Sequence, residues 1–436
     1  MKWLKVLLTG ILVSMFYFPF EFTFLPGINT KMMLAVVGLA LILYSLVQKR
    51  ELSLPRSLLI LLLLSAAVSM ISLFSITYND TPDTTYVSYI VSATVWLSAA
   101  YVVCRAILLV HDSIDVPIIV YYLTGVCVFQ CIIALVIDYN PPVQQFVDRY
   151  IVGGAFFHHI HRLYGIGAGL DVAGTRFACT LVGIASLLAL QSRELPSSRM
   201  IVLFLSFCVI TVIGNMIART TLVGTAIGLG ILLVFGTGVV TVGHQGTNPR
   251  KLFLAVASIL LVGIPLVVFF YQTNDKFFSL MRFGFEGFFS LVETGEWHVS
   301  SNDMLEKMVV WPDELKTWII GDGYFVSERI DPNYLGPVLN AGYYKGTDIG
   351  YCRFIFYFGI IGLVAISTVM AYASAICCME NKTYTLMFLL ALLAGFIMWG
   401  KAATDVFLFF AIFICASYLR NEQSEPEEEP GTDTAG

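Results

Sequence analysis

The chain has 436 residues, of which 58% are hydrophobic and 13% charged, and its mean hydropathy is +0.81. Soluble domains carry roughly 45–50% apolar and about 25% charged residues, so a soluble globular fold is excluded. With a formal net charge of −5 and no basic block, the chain has no electrostatic footprint for nucleic acid.

The apolar excess comes in continuous blocks of roughly 17–22 residues, the length that crosses a hydrocarbon core as a helix. Continuous blocks exclude a transmembrane barrel, whose strands alternate with period two. The first, "MKWLKVLLTGILVSMFYF", has the basic start of a signal peptide but no small-residue cleavage site, and is read as a retained span. The sequence predicts an all-α polytopic membrane protein of about twelve helices. The expected spans are 4–24, 32–47, 57–76, 86–104, 117–137, 174–191, 200–217, 220–240, 252–271, 348–378, 384–400 and 403–419. Residues 1–419 form this membrane domain, and the acidic tail 420–436, "NEQSEPEEEPGTDTAG" after Arg420, is expected to be disordered and cytoplasmic.

Short loops set the orientation. "QKRELSLPR", "SRELPSSR", "HQGTNPRK" and "ENK" carry more Lys and Arg than "PGINTK", "YNDTPDTTY" and "KAATD", so the first set and both termini belong inside. Two long segments, 138–173 and 272–347, then fall outside. The second is too long for a connector and should be partly helical; "SNDMLEKMVVWPDELKTW" is helical material in which Pro312 breaks or restarts a helix. The nine cysteines lie in or beside apolar runs, and no CxxC or HExxH occurs, so neither a disulfide framework nor a metal or other cofactor site is expected.

The basic residues at the outer boundary are the candidates for chemistry. Arg176 opens the sixth span, Arg219 sits in the tight turn of "VIGNMIARTTLVG", Arg353 lies one turn into the tenth span, and Lys401 lies between the last two. Each alone is explained as an anchor that snorkels to the headgroups. Together they would make a pocket for an anion, and guanidinium forks grip phosphate oxygens bidentately. The loop "AFFHHIHRLYGIGAGLDVAG" adds His159 and His161 as proton acceptors, with Arg162 and Asp171. Its histidines are also readable as a metal site or as interfacial polarity. Tyr324 and Tyr351, in a stretch rich in Tyr, Gly and Asn, suit sugar rings, whose C–H faces stack on aromatics; a packed aromatic cap is the alternative. Asp348, five residues before Arg353, is the best-placed acid, or else the N-cap of the tenth helix beside Thr347.

Four features resemble the bacterial O-antigen polymerase and O-antigen ligase-like membrane proteins. They are the multi-span layout with one large late periplasmic loop, "NMIARTTLVGTAIGLG" with Gly230 eleven residues after Arg219, "WIIGDGYF", and "GTDIGYCRFIFYFGIIGLV". The resemblance implies a metal-independent glycosyltransferase of the inner membrane with its site at the periplasmic face. Its donor would be a glycan on undecaprenyl diphosphate and its acceptor a sugar hydroxyl of another lipid-linked unit. Arg219 would bind the donor diphosphate, with Arg176 and Arg353 beside it, and Asp348, His159 or His161 would take the acceptor proton. A chain-length regulator and a repeat-unit flippase would be its partners. Ligases of this family carry a His-Asn type pair where this sequence has Thr347-Asp348, which favours a polymerase. A ligase acting on lipid A-core or protein is the alternative within the family, and a polysaccharide or lipid transporter the alternative from another class.

Overall fold

The computed structural model describes residues 2–49, 55–159, 162–191, 194–236, 249–300, 307–334, 336 and 342–424. Regular structure among them is helical; strand-like pairing is confined to two isolated bridges, Glu21 with Asn29 and Phe22 with Ile151. The chain runs through α1 (Lys2–Tyr17), α2 (Thr30–Lys49), α3 (Arg56–Asn79), α4 (Tyr89–His111) and α5 (Val116–Tyr139). Two short helices, α6 (Pro141–Tyr150) and α7 (Gly154–His159), precede α8 (Leu170–Gln191), α9 (Ser197–Ile217), α10 (Thr221–Gly236) and α11 (Pro249–Thr273). The late segment holds α12 (Asp275–Gly284), α13 (Glu286–Thr294) and α14 (Leu315–Ile320). Then come α15 (Gly350–Glu380), α16 (Thr385–Trp399) and α17 (Phe407–Ser424).

Among the described residues seven helices are long and apolar enough to cross a membrane: α3, α4, α5, α8, α9, α15, and α16 counted from Lys382. Shorter apolar stretches occupy Thr30–Ser45, Thr221–Phe235 and Gly263–Thr273. The chain is thus an all-α protein with membrane-spanning helices. The first apolar block makes a shorter helix than its length allows, since α1 stops at Tyr17, two residues before Pro19, whose ring disfavours helix at the preceding residue.

Successive connections alternate between two ends of the bundle. At one end, called here the cap end, Thr23 Oγ1 donates to Arg149 O (2.9 Å), Asn79 Nδ2 to Gly321 O (3.1 Å) and Arg219 Nε to Phe283 O (3.0 Å). At the other, Gln191 Nε2 donates to the Tyr384 hydroxyl (2.6 Å) and Arg420 to Asn381 Oδ1 (2.9 Å).

Helix α8 is the axis of the core. Every residue from Ala173 to Ala189 is buried, the mark of a helix apolar on all sides and surrounded by others. Small residues let α10 approach it closely. A Cβ on Gly224 would lie 2.2 Å from the Ala178 Cα, whereas one on Gly230 would meet nothing within 4 Å. The glycine eleven residues after Arg219 is therefore not the one that sets this packing.

Helix α15 is broken at Phe358 (φ −139°) and Gly359 (φ +68°), and the break is where the late segment attaches. A break frees carbonyls, and buried carbonyls must find donors within the protein. The Asp322 N–H donates to Phe356 O (2.6 Å) and the Gly323 N–H to Tyr357 O (3.1 Å). From α3 the Ser75 hydroxyl also donates to Tyr357 O (2.6 Å). The fit admits no side chain: a Cβ on Gly359 would stand 2.1 Å from Ile319 O, and one on Gly321 (φ +85°) 2.5 Å from the Tyr357 backbone. The "GDG" turn is thus an anchor that holds the late segment on the bundle. Of the helical stretch expected around Pro312, residues 301–306 lie outside the described residues. Pro312 stands three residues before α14, and its carbonyl accepts from Trp318 Nε1 (2.8 Å).

Candidate functional site

Charge gathers at the cap end, and Asp171, in the first turn of α8, is its hub. Its carboxylate accepts from Lys401 Nζ (2.9 Å) and from Thr220 Oγ1 (3.1 Å), the residue after Arg219. The connection between α16 and α17 and the turn between α9 and α10 are thereby tied to the same acid. Across from it, Arg353 in the first turn of α15 stands 3.8 Å from Asp348 and is only 9% exposed. Its Nε and Nη2 donate to Phe325 O (3.3 and 3.1 Å), and its plane lies against the rings of Phe325 (3.9 Å) and Tyr343 (4.2 Å). Phe325 is itself fixed from the α3–α4 connection: Asp83 accepts from the N–H groups of Phe325 (2.7 Å) and Val326 (2.9 Å).

Asp348 does not cap its helix. The cap position is Ile349, whose N–H donates to Thr347 Oγ1 (3.3 Å), which leaves the Asp348 carboxylate free to face Arg353. Desolvation lifts the Asp348 pKa from the usual carboxylate value to about 6; Arg353 and Lys401 oppose the rise and the charge of Asp171 adds to it. Such a carboxylate is a stronger base than an exposed aspartate and still ionised at pH 7.

Arg219 is engaged elsewhere. Its Nη2 pairs with Glu286 (2.8 Å), its Nε donates to Phe283 O, and its plane lies 4.1 Å from the Phe283 ring. Arg162 lies over the same ring at 5.1 Å. Beside this group is a cavity of about 310 Å³ whose wall includes Asp138, Arg162, Tyr164, Lys276 and Phe283. Lys276 is paired across it with Asp138 (2.9 Å).

Arg176 lies two turns into α8, only 9% exposed, with its guanidinium 5.5 Å from the Phe18 ring. Near it are two residues that charge counting alone did not single out. Lys31 opens α2, with its ammonium 5.0 Å from the Trp96 ring. Asp405 precedes α17 and accepts from the Phe407 N–H (2.5 Å). Desolvation raises the Asp405 pKa to about 6, against the pull of Lys31 and Arg176. The available signal was spacing: "KAATD" places Lys401 and Asp405 on one short connection, where one meets Asp171 and the other faces Arg176.

The remaining expected residues divide. The Tyr324 hydroxyl donates to Asp331 (2.5 Å) with its ring stacked on Tyr344 (4.9 Å), and the Tyr351 hydroxyl donates to Phe396 O (2.7 Å). Both hydroxyls are committed internally, and the Tyr324 ring is itself buried against Tyr344 and Tyr334. His161 and the side chain of His159 lie outside the described residues. The nine cysteines are free thiols, and among the described residues no three His, Cys, Asp or Glu gather as metal ligands.

Arg353, Arg176, Lys401 and Lys31 thus share one end of the bundle with Asp348, Asp171 and Asp405. Such a set can hold a multivalent anion, stabilise charge on a leaving oxygen and accept a proton nearby. Comparison with protein families, with curated proteins and with solved structures finds no match to this chain.

Proposed function

We propose that this protein is a membrane glycosyltransferase that polymerises lipid-linked oligosaccharide repeat units, of an O-antigen, capsule or exopolysaccharide, at the periplasmic face of a bacterial inner membrane. The observation that carries the reading is the half-buried Asp348, raised to about 6, facing Arg353 beside the Asp171–Lys401 pair. The chain crosses the bilayer about twelve times with both termini cytoplasmic, and the cap end is periplasmic.

An acceptor sugar hydroxyl attacks the anomeric carbon of a glycan on undecaprenyl diphosphate. The new C–O bond forms as the bond to the diphosphate oxygen breaks, with inversion, and the hydroxyl proton passes to the Asp348 carboxylate. Negative charge growing on the leaving diphosphate is met by the fixed cations, which act strongly where water is scarce. The late segment, pinned at the α15 break, covers the glycans and limits hydrolysis. A repeat-unit flippase supplies the substrate and a chain-length regulator acts on the product.

Purified protein in liposomes, given undecaprenyl-diphosphate-linked repeat unit and EDTA, is expected to produce a ladder of lipid-linked polymers. No ladder from authentic donor and acceptor, or a deletion strain that keeps its long-chain surface glycan, would remove the reading. Transfer to lipid A-core alone would assign a ligase.

A further inference from the structure

We infer that α6 lies flat along the edge of the lipid leaflet at the cap end, with protein, acyl chains and water each covering one side of it. Its apolar side is a lipid-docking shelf, which Phe24 in the connection between α1 and α2 extends.

The ten residues of α6 present three faces rather than two. Val143, Phe146 and Tyr150, spaced three and four apart, make an exposed apolar stripe. Gln145 and Arg149, four apart, make an exposed polar stripe about a third of a turn away. The remaining third meets the protein. There Val147 is buried in a cluster with Ile137 of α5 and Tyr164, and Asp148 accepts from the Tyr164 hydroxyl (2.6 Å). Gln144, on the same side, lines the cavity beside Phe283. A helix packed on a protein in water needs only a buried apolar face and an exposed polar one. Here Gln144 and Asp148 turn inward while Phe146, 62% exposed, turns out. A helix at the edge of a bilayer has this division, with its apolar side in lipid and its polar side toward water.

Helix α5 identifies what covers the apolar stripe. It is long and apolar enough to cross a membrane, and Phe129, Ile132, Val136 and Tyr139 line its exposed side up to the cap end. That lipid-facing side stops at Tyr139, and Asn140, whose Nδ2 donates to Val136 O (2.9 Å), is the single residue before α6. The stripe on α6 therefore continues a surface already in lipid. Tyr139 and Tyr150 suit headgroup level, where aromatic rings with one polar end collect. Arg149 lies over the Tyr150 ring (5.6 Å), with its charge on the polar side.

The far end of α6 is held at the cap end as well. The Thr23 N–H donates to Tyr150 O (3.0 Å) and the Val152 N–H to Glu21 O (3.0 Å), and Phe22 bridges Ile151. Phe24, stacked on Phe22 (4.9 Å) and 70% exposed, enlarges the apolar surface there. With both ends tied at one end of the bundle, α6 runs across it.

Beneath this level the backbone is satisfied as lipid depth requires. Gln130, nine residues before Tyr139, stands about 13.5 Å deeper along α5 at 1.5 Å per residue. The irregular segment 163–169 returns to that depth. A Cβ on Gly165 would lie 3.1 Å from Gln130 O, and the Ile166 N–H donates to Gln130 Oε1 (2.9 Å). The Gly165 N–H donates to Ala168 O (2.7 Å). Non-helical backbone below the headgroups persists where protein supplies its partners, and a side-chain amide does so here.

The test is nitroxide scanning of the full chain in liposomes of phosphatidylethanolamine and phosphatidylglycerol. The background carries Cys208→Ser and Cys378→Ser, since the other seven thiols are buried. Labels are placed through Val143→Cys, Phe146→Cys and Tyr150→Cys on one stripe and Gln145→Cys and Arg149→Cys on the other, all at exposed positions. Power saturation compares oxygen, which concentrates among acyl chains, with a water-soluble nickel chelate. Labels at 143, 146 and 150 are expected to favour oxygen severalfold over those at 145 and 149, which should favour the chelate. Five positions open to the chelate would put α6 in water and overturn the inference. Five that favour oxygen would sink it into the acyl chains and overturn the boundary. Labels at 143, 146 and 150 shielded from both reagents would give the stripe to a protein partner or a second copy of the chain, and overturn it too. The readout involves no catalysis, so the shelf stands or falls separately from the polymerase.

Discussion

Arg176, on α8, and Arg219, in the turn between α9 and α10, occupy neighbouring places at the cap end, tied together through Asp171 and Thr220. In sequence each is a lone arginine beside an apolar run. Folded, they differ in what surrounds them. Arg219 is joined to the late segment by Glu286 and the Phe283 carbonyl, as a tie between bundle and cap. Arg176 is buried deeper and has an aromatic face beneath it but no oxygen acceptor among the described residues. Arg219 is therefore fastened to the late segment and Arg176 is not, a difference that position at the cap end alone does not decide.

The largest expected effect tests that contrast directly. Arg176→Gln should lower polymer formation in liposomes by about 10²–10³-fold, the loss of a donor to the leaving oxygen, while Arg219→Gln should lower it about tenfold or less. Equal losses would break the comparison. Lys in place of Arg219 should retain most activity, because Glu286 still receives a cation; a dead Arg219→Lys would return Arg219 to the centre of diphosphate binding.

Next comes Asp348, which sits between the two arginines in function. Asp348→Asn should cost about 10²-fold in kcat/KM, and the wild-type profile should lose activity below about pH 6, where the base is protonated. The raised pKa also carries a stability signature. The folded protein holds this proton more tightly than the unfolded chain, so the group's stabilising contribution is complete below about pH 4. It is lost as pH rises through about 6. Asp348→Asn should therefore be more stable than wild type at pH 7–8, by about 1 kcal/mol after allowance for solvent screening, and equal to it below pH 4. Thermal unfolding at the two pH values measures it.

The smallest expected effect sharpens the fastener role. Glu286→Gln removes a partly exposed ion pair and should cost ~1 kcal/mol or less, with a small fall in unfolding temperature that shrinks further in high salt.

Much of the candidate site was legible before folding. Arg176, Arg353, Lys401, Asp171 and Asp348 all stand at the same end of apolar runs, so alternating the runs across a bilayer brings them to one side. Lys31 stood in plain view in "PGINTK", but its neighbour in space, Asp405, is 374 residues away, and no spacing rule links them. Glu286 was hidden for the same reason, since its partner lies across the interface between cap and bundle. Asp348 beside Thr347 read equally well as a helix cap or as a free acid, and only the backbone at Ile349 separates the two.

By itself the sequence determined that this chain is helical and belongs in a membrane, because long apolar runs without water must satisfy their backbone internally. It also determined which polar residues stand at helix ends. The tertiary structure decided which of those residues are paired, through the packing around α8 and the docking of the "GDG" turn into the α15 break. Pairing depends on distances of a few ångströms between segments far apart in the chain, and a one-dimensional pattern carries no record of them.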